Sequence, residues 1–325
     1  MESMDVQRTY VETIQDEQII GNSPDAKRLR RAVKRLSKID SNILIVGETG
    51  TGKEFLARQI FAASSRKSRS FVEINCSAIG KTIEKRDIYG EDTEKDEAVM
   101  RTIGLLEKAN KGVLLLDNIS EMDNSFQFDL LQILNDKRFR RIGGRENIPL
   151  DVRIISTTDK DLTPDLDSDA FRKDLYYHLN TLTIHIPPLR ERKQDIPELF
   201  IYFLKKFCME INKDIPAVPS DIFESILTYE WRGNVRELEN TVQNLVMMSP
   251  EGELSPDFLP FKIKRHRLDF MEPKNLKGWV SEVETYLIEK ALNKFGGNQV
   301  KAARLLGIPE ATLRFKMKKY DIPKD

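Results

Sequence analysis

The sequence predicts an α/β fold, a parallel sheet covered by helices on both faces, followed by all-helical segments. Three observations predict it. From about Ile19 to Ile186, apolar β-branched runs alternate with segments of helical period, the pattern of a sheet whose connections cross its faces. One such run, Asn42-Ile43-Leu44-Ile45-Val46, leads into Gly47-Glu48-Thr49-Gly50-Thr51-Gly52-Lys53-Glu54, a glycine-rich turn between strand and helix that suits a phosphate. After Pro187-Pro188 the period becomes helical throughout.

Residues 1–18 are polar and too short to fold alone. Spacing then predicts helix 24–38, strand 42–46, helix 53–63, strand 71–75, helix 98–109, strand 113–117, helix 125–135, and strands 152–157 and 182–186. Residues 19–189 thus form the α/β part. Residues 190–262 read as a helical subdomain, with Ile196, Leu199, Phe203 and Phe207, then Leu238, Val242, Leu245 and Val246, at core-facing spacing. Residues 263–280 are polar and basic, carry Pro273 and Gly278, and read as a linker.

Residues 281–325 resume the helical period. Val283, Leu287, Ile288 and Leu292 form a stripe that Gly296-Gly297 ends. Gly297-Asn298-Gln299 opens a short helix with Ala302, Ala303, Leu305 and Leu306, Gly307-Ile308-Pro309 makes a turn, and Glu310–Tyr320 forms a helix exposing Arg314, Lys316, Lys318 and Lys319. A short helix, a glycine turn and a basic helix are the parts of a helix-turn-helix; a plain basic hairpin is the alternative.

The 325 residues are 40% hydrophobic and 32% charged, as in soluble globular proteins. No apolar run approaches the ~20 residues of a membrane span, and the amino terminus has no signal-peptide core, so no membrane partner is expected and the expected location is the cytoplasm. Cys76 and Cys208 lie in apolar contexts without metal-ligand spacing and read as reduced core thiols. The net charge is zero, yet residues 262–325 hold 15 Lys/Arg against 8 Asp/Glu. A basic end suits a polyanion, and a solvated charged face would look the same.

A triphosphate must be met by backbone N–H groups at close range. Gly47, Gly50 and Gly52 permit that approach, the helix opening near Lys53 aims its positive end at the phosphates, and the Lys53 ammonium reaches their outer oxygens. Val113-Leu114-Leu115-Leu116-Asp117 is an apolar strand ending in a carboxylate, placed to hold Mg2+ through water. Glu54 stands where most such loops carry the Ser/Thr that ligates magnesium.

Together with Ile20-Gly21-Asn22-Ser23-Pro24, Phe71-Val72-Glu73-Ile74-Asn75-Cys76, Phe171-Arg172-Lys173-Asp174-Leu175-Tyr176-Tyr177, Pro187-Pro188-Leu189-Arg190-Glu191-Arg192 and Trp231-Arg232-Gly233-Asn234-Val235-Arg236-Glu237-Leu238, these residues carry a resemblance. From about Ile19 to Phe261 the sequence resembles the AAA+ domain of bacterial enhancer-binding proteins, activators that remodel RNA polymerase carrying sigma-54. Residues 281–325 look like the Fis-type DNA-binding domain that closes most of them. The resemblance implies ATP as ligand, held by Gly47–Glu54 with Ile20, Gly21 and Arg236, the sensor II position. It also implies double-stranded DNA as partner, with Thr312, Arg314, Phe315 and Lys316 near the major groove and Lys301, Lys318 and Lys319 near phosphates. A Fis-type domain implies a dimer on a palindromic or repeated site, and the AAA+ resemblance leaves a hexameric ring open.

The departures narrow the function. The family follows its Walker B Asp with a water-orienting Glu, whereas this chain has Asn118, which cannot accept a proton. Asn75 matches the residue that restrains that Glu. The sensor I position is Asp159, a carboxylate near anionic phosphate. Of two arginines that reach a neighbouring subunit's nucleotide, Arg172 is present and the second is His178. The family's Gly-Ala-Phe-Thr-Gly-Ala loop, which touches sigma-54, is replaced after Ile88-Tyr89-Gly90 by Glu91-Asp92-Thr93-Glu94-Lys95-Asp96-Glu97-Ala98, expected to be an acidic solvated turn. The expectation is a DNA-binding transcription regulator that binds ATP, with hydrolysis and sigma-54 remodelling weak or lost. A fully active ATP-hydrolysing sigma-54 activator is the alternative, which leaves RNA polymerase and sigma-54 open as partners. A remodelling ATPase without a DNA role is set against by residues 281–322. No receiver domain is expected before Ile19, and regulation is expected from expression level, nucleotide or a separate regulatory protein.

Overall fold

The computed structural model describes residues 18–95, 98–249, 254–263 and 284–322, apart from 286, 290, 293 and 321. The chain divides into two units, one up to Ile263 and one from Lys264. The first begins in chain order with α1 (Pro24–Leu36), β1 (Ile43–Val46), α2 (Lys53–Ala62), β2 (Phe71–Asn75), α3 (Lys85–Tyr89), β3 (Glu91–Lys95), β4 (Ala98–Thr102) and α4 (Leu105–Ala109). It continues with β5 (Val113–Asp117), α5 (Asn124–Asp136), β6 (Arg138–Phe139), β7 (Ile148–Pro149), β8 (Arg153–Thr158), α6 (Thr163–Asp167), α7 (Lys173–Leu179) and β9 (Leu182–His185).

Five strands make one parallel sheet in the order β2-β5-β8-β1-β9. Their residues alternate between its faces, as the two-residue period demands. Ile43, Ile45, Val113, Leu115 and Ile155 pack with Leu56 and Ile60 of α2. Leu44, Leu114, Leu116 and Ile154 pack on the other face with Phe126 and Leu130 of α5. Register sets Asn75 beside Asp117, Leu116 beside Ser156, and Val46 beside Thr158. The carboxy ends of β1, β5 and β8 therefore open side by side, where ligands of such sheets sit.

The lid follows as α8 (Ile196–Glu210), α9 (Ser220–Thr228) and α10 (Asn234–Met248). Ile196, Leu199, Phe203, Phe207, Leu238, Val242, Leu245 and Val246 are all buried in its core. Trp231 is fully buried there and donates from its indole to the Ile226 carbonyl at 2.8 Å.

Two expectations are corrected. The helix expected over 98–109 is a strand followed by a short helix: β4 pairs antiparallel with β3, and α4 starts only after Gly104. A Cβ on Gly104 would lie 2.2 Å from the Gly90 nitrogen, so this position accepts only glycine and the chain must break there. The acidic stretch is likewise no plain turn, since Glu91–Lys95 is the other strand of that hairpin. Half-buried Asp92 pairs with the buried Arg141 at 3.4 Å, and Arg141 also pairs with Glu107 at 2.8 Å. Asp96 and Glu97 lie outside the described residues.

In the second unit, α11 (Gln299–Leu305) and α12 (Glu310–Lys319) follow helical backbone at 287–289 and 291–292. Ile288, Leu292, Ala302, Ala303, Leu313 and Met317 form its core. Leu287, expected in the apolar stripe, is exposed: it precedes Ile288 by one residue, about 100° around the helix. Val283 and the expected linker after Ile263 lie outside the described residues.

Candidate nucleotide site and nucleic-acid interface

Gly50 (φ +80°) and Gly52 (φ +97°) adopt left-handed conformations, and a Cβ on Gly50 would sit 2.3 Å from the Gly233 carbonyl oxygen. Because α2 starts at Lys53, its first N–H groups open onto the loop. Lys53 Nζ folds over that loop, donating to the carbonyls of Gly47 (2.7 Å) and Glu48 (3.2 Å). Burial pushes the ammonium's pKa down, against the pull of Asp159 and Asp117. A phosphate placed here would satisfy a cation whose hydrogen bonds among the described residues go to carbonyls.

A cavity of about 1050 Å3 lies over the loop. Ile19 and Ile20 line one side, Thr49–Leu56 the floor, Asn75, Asp117, Asn118 and Asp159 the strand end, and Val235, Arg236 and Phe203 the lid side. Thr51 is held by its hydroxyl, which donates to the Glu48 carbonyl at 2.7 Å. Gly47, Glu48 and Gly21, also expected to hold the nucleotide, are not among the residues that line the cavity. Gly21 (φ +123°) packs against Asp195, whose carboxylate accepts from the Ser23 N–H and hydroxyl. Arg30 donates to the carbonyls of Ile19 (2.6 Å) and Gly21 (2.8 Å), fixing the strand of chain that carries Ile20.

The lid grips the loop through Arg190, Arg192 and Asn234, to which the sequence assigned no role, and through the backbone of Arg236, expected at the sensor II position. Arg190 forms a two-pronged pair with Glu48 at 2.7 and 2.6 Å, and these hydrogen bonds hold the Glu48 carboxyl below its ordinary range. Asn234, fully buried, donates to Glu48 Oε2 (3.2 Å) and the Thr49 carbonyl (3.0 Å) and accepts from the Leu189 N–H (2.8 Å). Arg192 donates to the Thr51 carbonyl at 3.1 Å, and the Arg236 N–H to the Gly50 carbonyl at 3.2 Å. The one local signal was Glu48, an acid in a loop meant for anions, which needs a cation of its own.

At the strand end, Asp117 Oδ1 accepts from the Thr157 hydroxyl at 2.6 Å, and the Asn118 N–H donates to that hydroxyl oxygen at 2.9 Å. Asn118 is left-handed (φ 60°). The Ser120 hydroxyl donates to Asn118 Oδ1 at 3.0 Å and lies 3.4 Å from Asp159 Oδ1; Thr49 Oγ lies 3.4 Å from Asp159 Oδ2. Glu54 turns to Arg58 at 2.8 Å, which also pairs with Glu73. Asn75 is occupied too, its Oδ1 accepting from the Ser77 N–H and hydroxyl.

Arg172 and His178, expected to reach the nucleotide of a neighbouring subunit, do not line this cavity. Arg172 is exposed at the start of α7, paired with Asp174 at 2.9 Å and stacked over Phe128. Its N–H donates to the side chain of Gln127, a buried glutamine that fixes the turn. His178, on the same helix, is exposed as well. Neither lines the pocket.

In the second unit, α12 exposes Arg314, Phe315, Lys318 and Lys319, with Thr312 half-buried. Lys301 is exposed on α11, whose start is capped by Asn298 Oδ1 accepting from the Lys301 N–H. Lys316, expected to be exposed, is instead half-buried and ion-paired with Glu284. It directly precedes Met317 of the core, so its position sits at the edge of the buried face. The hydrogen bonds from Lys316 and Tyr320 hold the Glu284 carboxyl below its ordinary range. Arg314 donates to Gln299 Oε1 at 3.1 Å and pairs with Glu310.

Comparison with known proteins agrees with this geometry. Residues 19–185 match the sigma-54 interaction domain, residues 190–275 the AAA+ ATPase lid domain, and residues 280–320 the Fis family of bacterial regulatory proteins. A signal-transduction and transcriptional-control protein of Clostridium beijerinckii is 41% identical over 98% of this chain and 50% of its own length. The transcriptional activator RocR of Bacillus subtilis is 35% identical over 93% of this chain and 68% of its own. The chain thus spans half to two thirds of the length of these relatives. Among solved structures, NtrX from Brucella abortus in complex with ATP aligns with a TM-score of 0.70 and 29% identity, over 99% of this chain and 73% of NtrX. An ADP complex of NtrX aligns equally well, with a TM-score of 0.70. The chain belongs to the family of the sigma-54 interaction domain, carrying after it an AAA+ lid and a Fis-family helix-turn-helix.

Proposed function

We propose that this protein is a DNA-binding transcription regulator whose AAA+ module binds ATP with Mg2+ and hydrolyses it slowly, so that nucleotide acts as a switch and not as fuel for remodelling sigma-54 polymerase. The observation that carries this reading is Asn118. It follows Asp117 at the strand end of a cavity whose phosphate loop is otherwise fully furnished, and its amide takes no proton; loss of a general base typically slows a reaction ~10²–10⁴-fold while leaving binding contacts in place.

Mg2+ fits the donors present. Asp117, Asn118, Asn75 and Asp159 bring only oxygen acceptors and amides to that end, and among the described residues no three His, Cys, Asp or Glu side chains converge as a ready-made metal cage. That suits an ion that keeps its waters and shares phosphate oxygens. When bound it neutralises phosphate charge, and Asp117 is the side chain placed to hold it through water. Arg236 would sense the phosphates from the lid. Arg172 and His178, exposed and outside the lining of this cavity, would serve the nucleotide of a second copy. Nucleotide would then favour a homo-oligomer, a dimer through the helix-turn-helix or a ring, and clustered DNA modules gain avidity.

Double-stranded DNA is the partner for α12, with Arg314, Phe315 and Thr312 toward the groove and Lys301, Lys318 and Lys319 toward phosphates. A regulator working on DNA is placed in the cytoplasm, and no helix among the described residues is long and apolar enough to cross a membrane. The intact lid contacts favour a second reading, a fully active sigma-54-dependent activator. Turnover decides between them. The expected result is tight ATP binding, lost in Lys53→Ala, with turnover far below that of a remodelling ATPase. Turnover at such a rate, together with open-complex formation by sigma-54 polymerase, would sink the switch reading.

A further inference from the structure

We infer that the exposed face of α1 is a second DNA-contacting surface, a cationic stripe on the first unit that meets the phosphates of double-stranded DNA without reading its bases. The inference rests on the DNA-binding reading above and goes beyond it, because that reading gives DNA to α12 and Lys301 alone.

The helix divides by face. Ala26, Leu29 and Leu36 are buried, and Leu29 and Leu36 pack into the core that holds Leu56 and Ile60 of α2. Lys27, Arg28, Arg31, Lys34 and Arg35 are all exposed, and at about 100° per residue they fall within an arc of about 120°. Lys38, exposed just past the helix end, lengthens the stripe to about 16 Å, the axial rise of roughly five base pairs. No acid stands in the arc. Asp25, the acid of α1, is half-buried near its start and pairs with Arg28 at 3.0 Å.

The other cations are uncompensated. Lys27, Arg31, Lys34, Arg35 and Lys38 have no ion pair among the described residues; Arg31 donates only to the Lys27 carbonyl of its own helix, at 3.4 Å. Lys27, Arg31 and Arg35 follow one another at four-residue intervals, as do Lys34 and Lys38, and like charges so spaced repel. A face made for solubility alone interleaves both signs. The chain as a whole has zero net charge, so composition does not force this stripe on the helix.

The absence of apolar groups selects the polyanion. Protein partners are anchored by apolar and aromatic side chains at the centre of the contact, and none of the large apolar side chains of α1 is exposed. A helix enters a lipid surface by its apolar face, which in α1 is already buried. Phosphates of DNA need charge alone. The Fis-family unit, once on DNA, holds α1 near that DNA at the effective concentration of a tethered group.

The test uses the whole chain and a fluorescein-labelled duplex of mixed sequence, titrated across a range of salt concentrations. In Lys27→Gln/Arg31→Gln/Lys34→Gln/Lys38→Gln the slope of log affinity against log salt is expected to shrink by ~3, with affinity near physiological salt at least ~10-fold weaker. A melting temperature at or above wild type, since repulsion is relieved, and unchanged affinity for fluorescent mant-ATP show that the fold is intact. Lys27→Arg/Lys34→Arg/Lys38→Arg, which keeps the charge, is expected to bind as wild type does. Unchanged slope and affinity in the quadruple variant overturn the inference and leave α12 as the DNA contact. So does a variant that binds DNA normally and loses affinity for poly-glutamate, which assigns the stripe to an acidic protein. Failure of the wild type to bind the duplex at low salt overturns the DNA reading itself.

Discussion

At the lid end of the cavity the phosphate loop is held at short range, Arg190 to Glu48 at 2.7 and 2.6 Å and Asn234 to the Thr49 carbonyl at 3.0 Å. At the strand end the corresponding distances to Asp159 are 3.4 Å, and an amide stands after Asp117. Gripping a phosphate needs backbone donors and a fixed loop, which charge-assisted hydrogen bonds supply. Splitting one needs a group that can take a proton at the right place. One cavity can therefore keep the first property while the second declines, because different residues carry them.

The largest expected effect tests the strand end. Asn118→Glu supplies a proton acceptor directly after Asp117 and is expected to raise ATP turnover ~10²-fold or more, with mant-ATP affinity changed far less. Unchanged turnover would mean that the strand end lacks more than one group, and the contrast between the two ends would widen. Next comes Asn234→Ala at the lid end. It strands the buried Leu189 N–H, which costs about 1–3 kcal/mol, and releases the part-buried contact with the Thr49 carbonyl. Thermal melting should show that loss, and ATP affinity should fall with it, while the rate of hydrolysis per bound nucleotide stays near wild type. If that rate falls in step, the two ends are not independent. A smaller effect is expected from Ser120→Ala, which releases Asn118 and Asp159 from their shared hydroxyl; one exposed-side hydrogen bond is worth about 0.5–1.5 kcal/mol, visible as a several-fold drop in single-turnover rate.

How far each end was legible in the sequence follows from distance along the chain. The phosphate loop and Asp117 were readable because strand, glycine turn and helix succeed one another within a few residues, and local spacing states that plainly. The lid contacts join Glu48 to Arg190 and Asn234 across more than a hundred residues, and no periodicity carries such a pairing. Residues 98–109 misled for the opposite reason. Val99, Met100, Ile103 and Leu106 fall at helical intervals, yet strand pairing with Glu91–Lys95 and the contact of Gly104 with Gly90 decide the backbone. Lys316 shows the limit on a correctly read helix: its period places it near the exposed face, and only the fold brings Glu284 to it.

The smallest effect expected is electrostatic. In the folded protein Glu48 titrates below its ordinary value of 4.5, chiefly through its hydrogen bonds from Arg190. As pH falls, the unfolded chain takes up this proton first, so the pair's contribution is fully present above about pH 4.5 and is lost as pH drops through the lower, folded value. The Glu48 side chain is 40% exposed, and solvent screening limits the contribution to about 1 kcal/mol or less. Arg190→Gln removes the main cause, so Glu48 should return toward its ordinary value and the melting temperature should become less dependent on pH between about 3 and 5. Melts of wild type and variant across that range, with and without ATP, measure it. Identical slopes would show that the Arg190 grip does not stabilise the lid against the loop, and the lid end would then rest on Asn234, Arg192 and the Arg236 N–H.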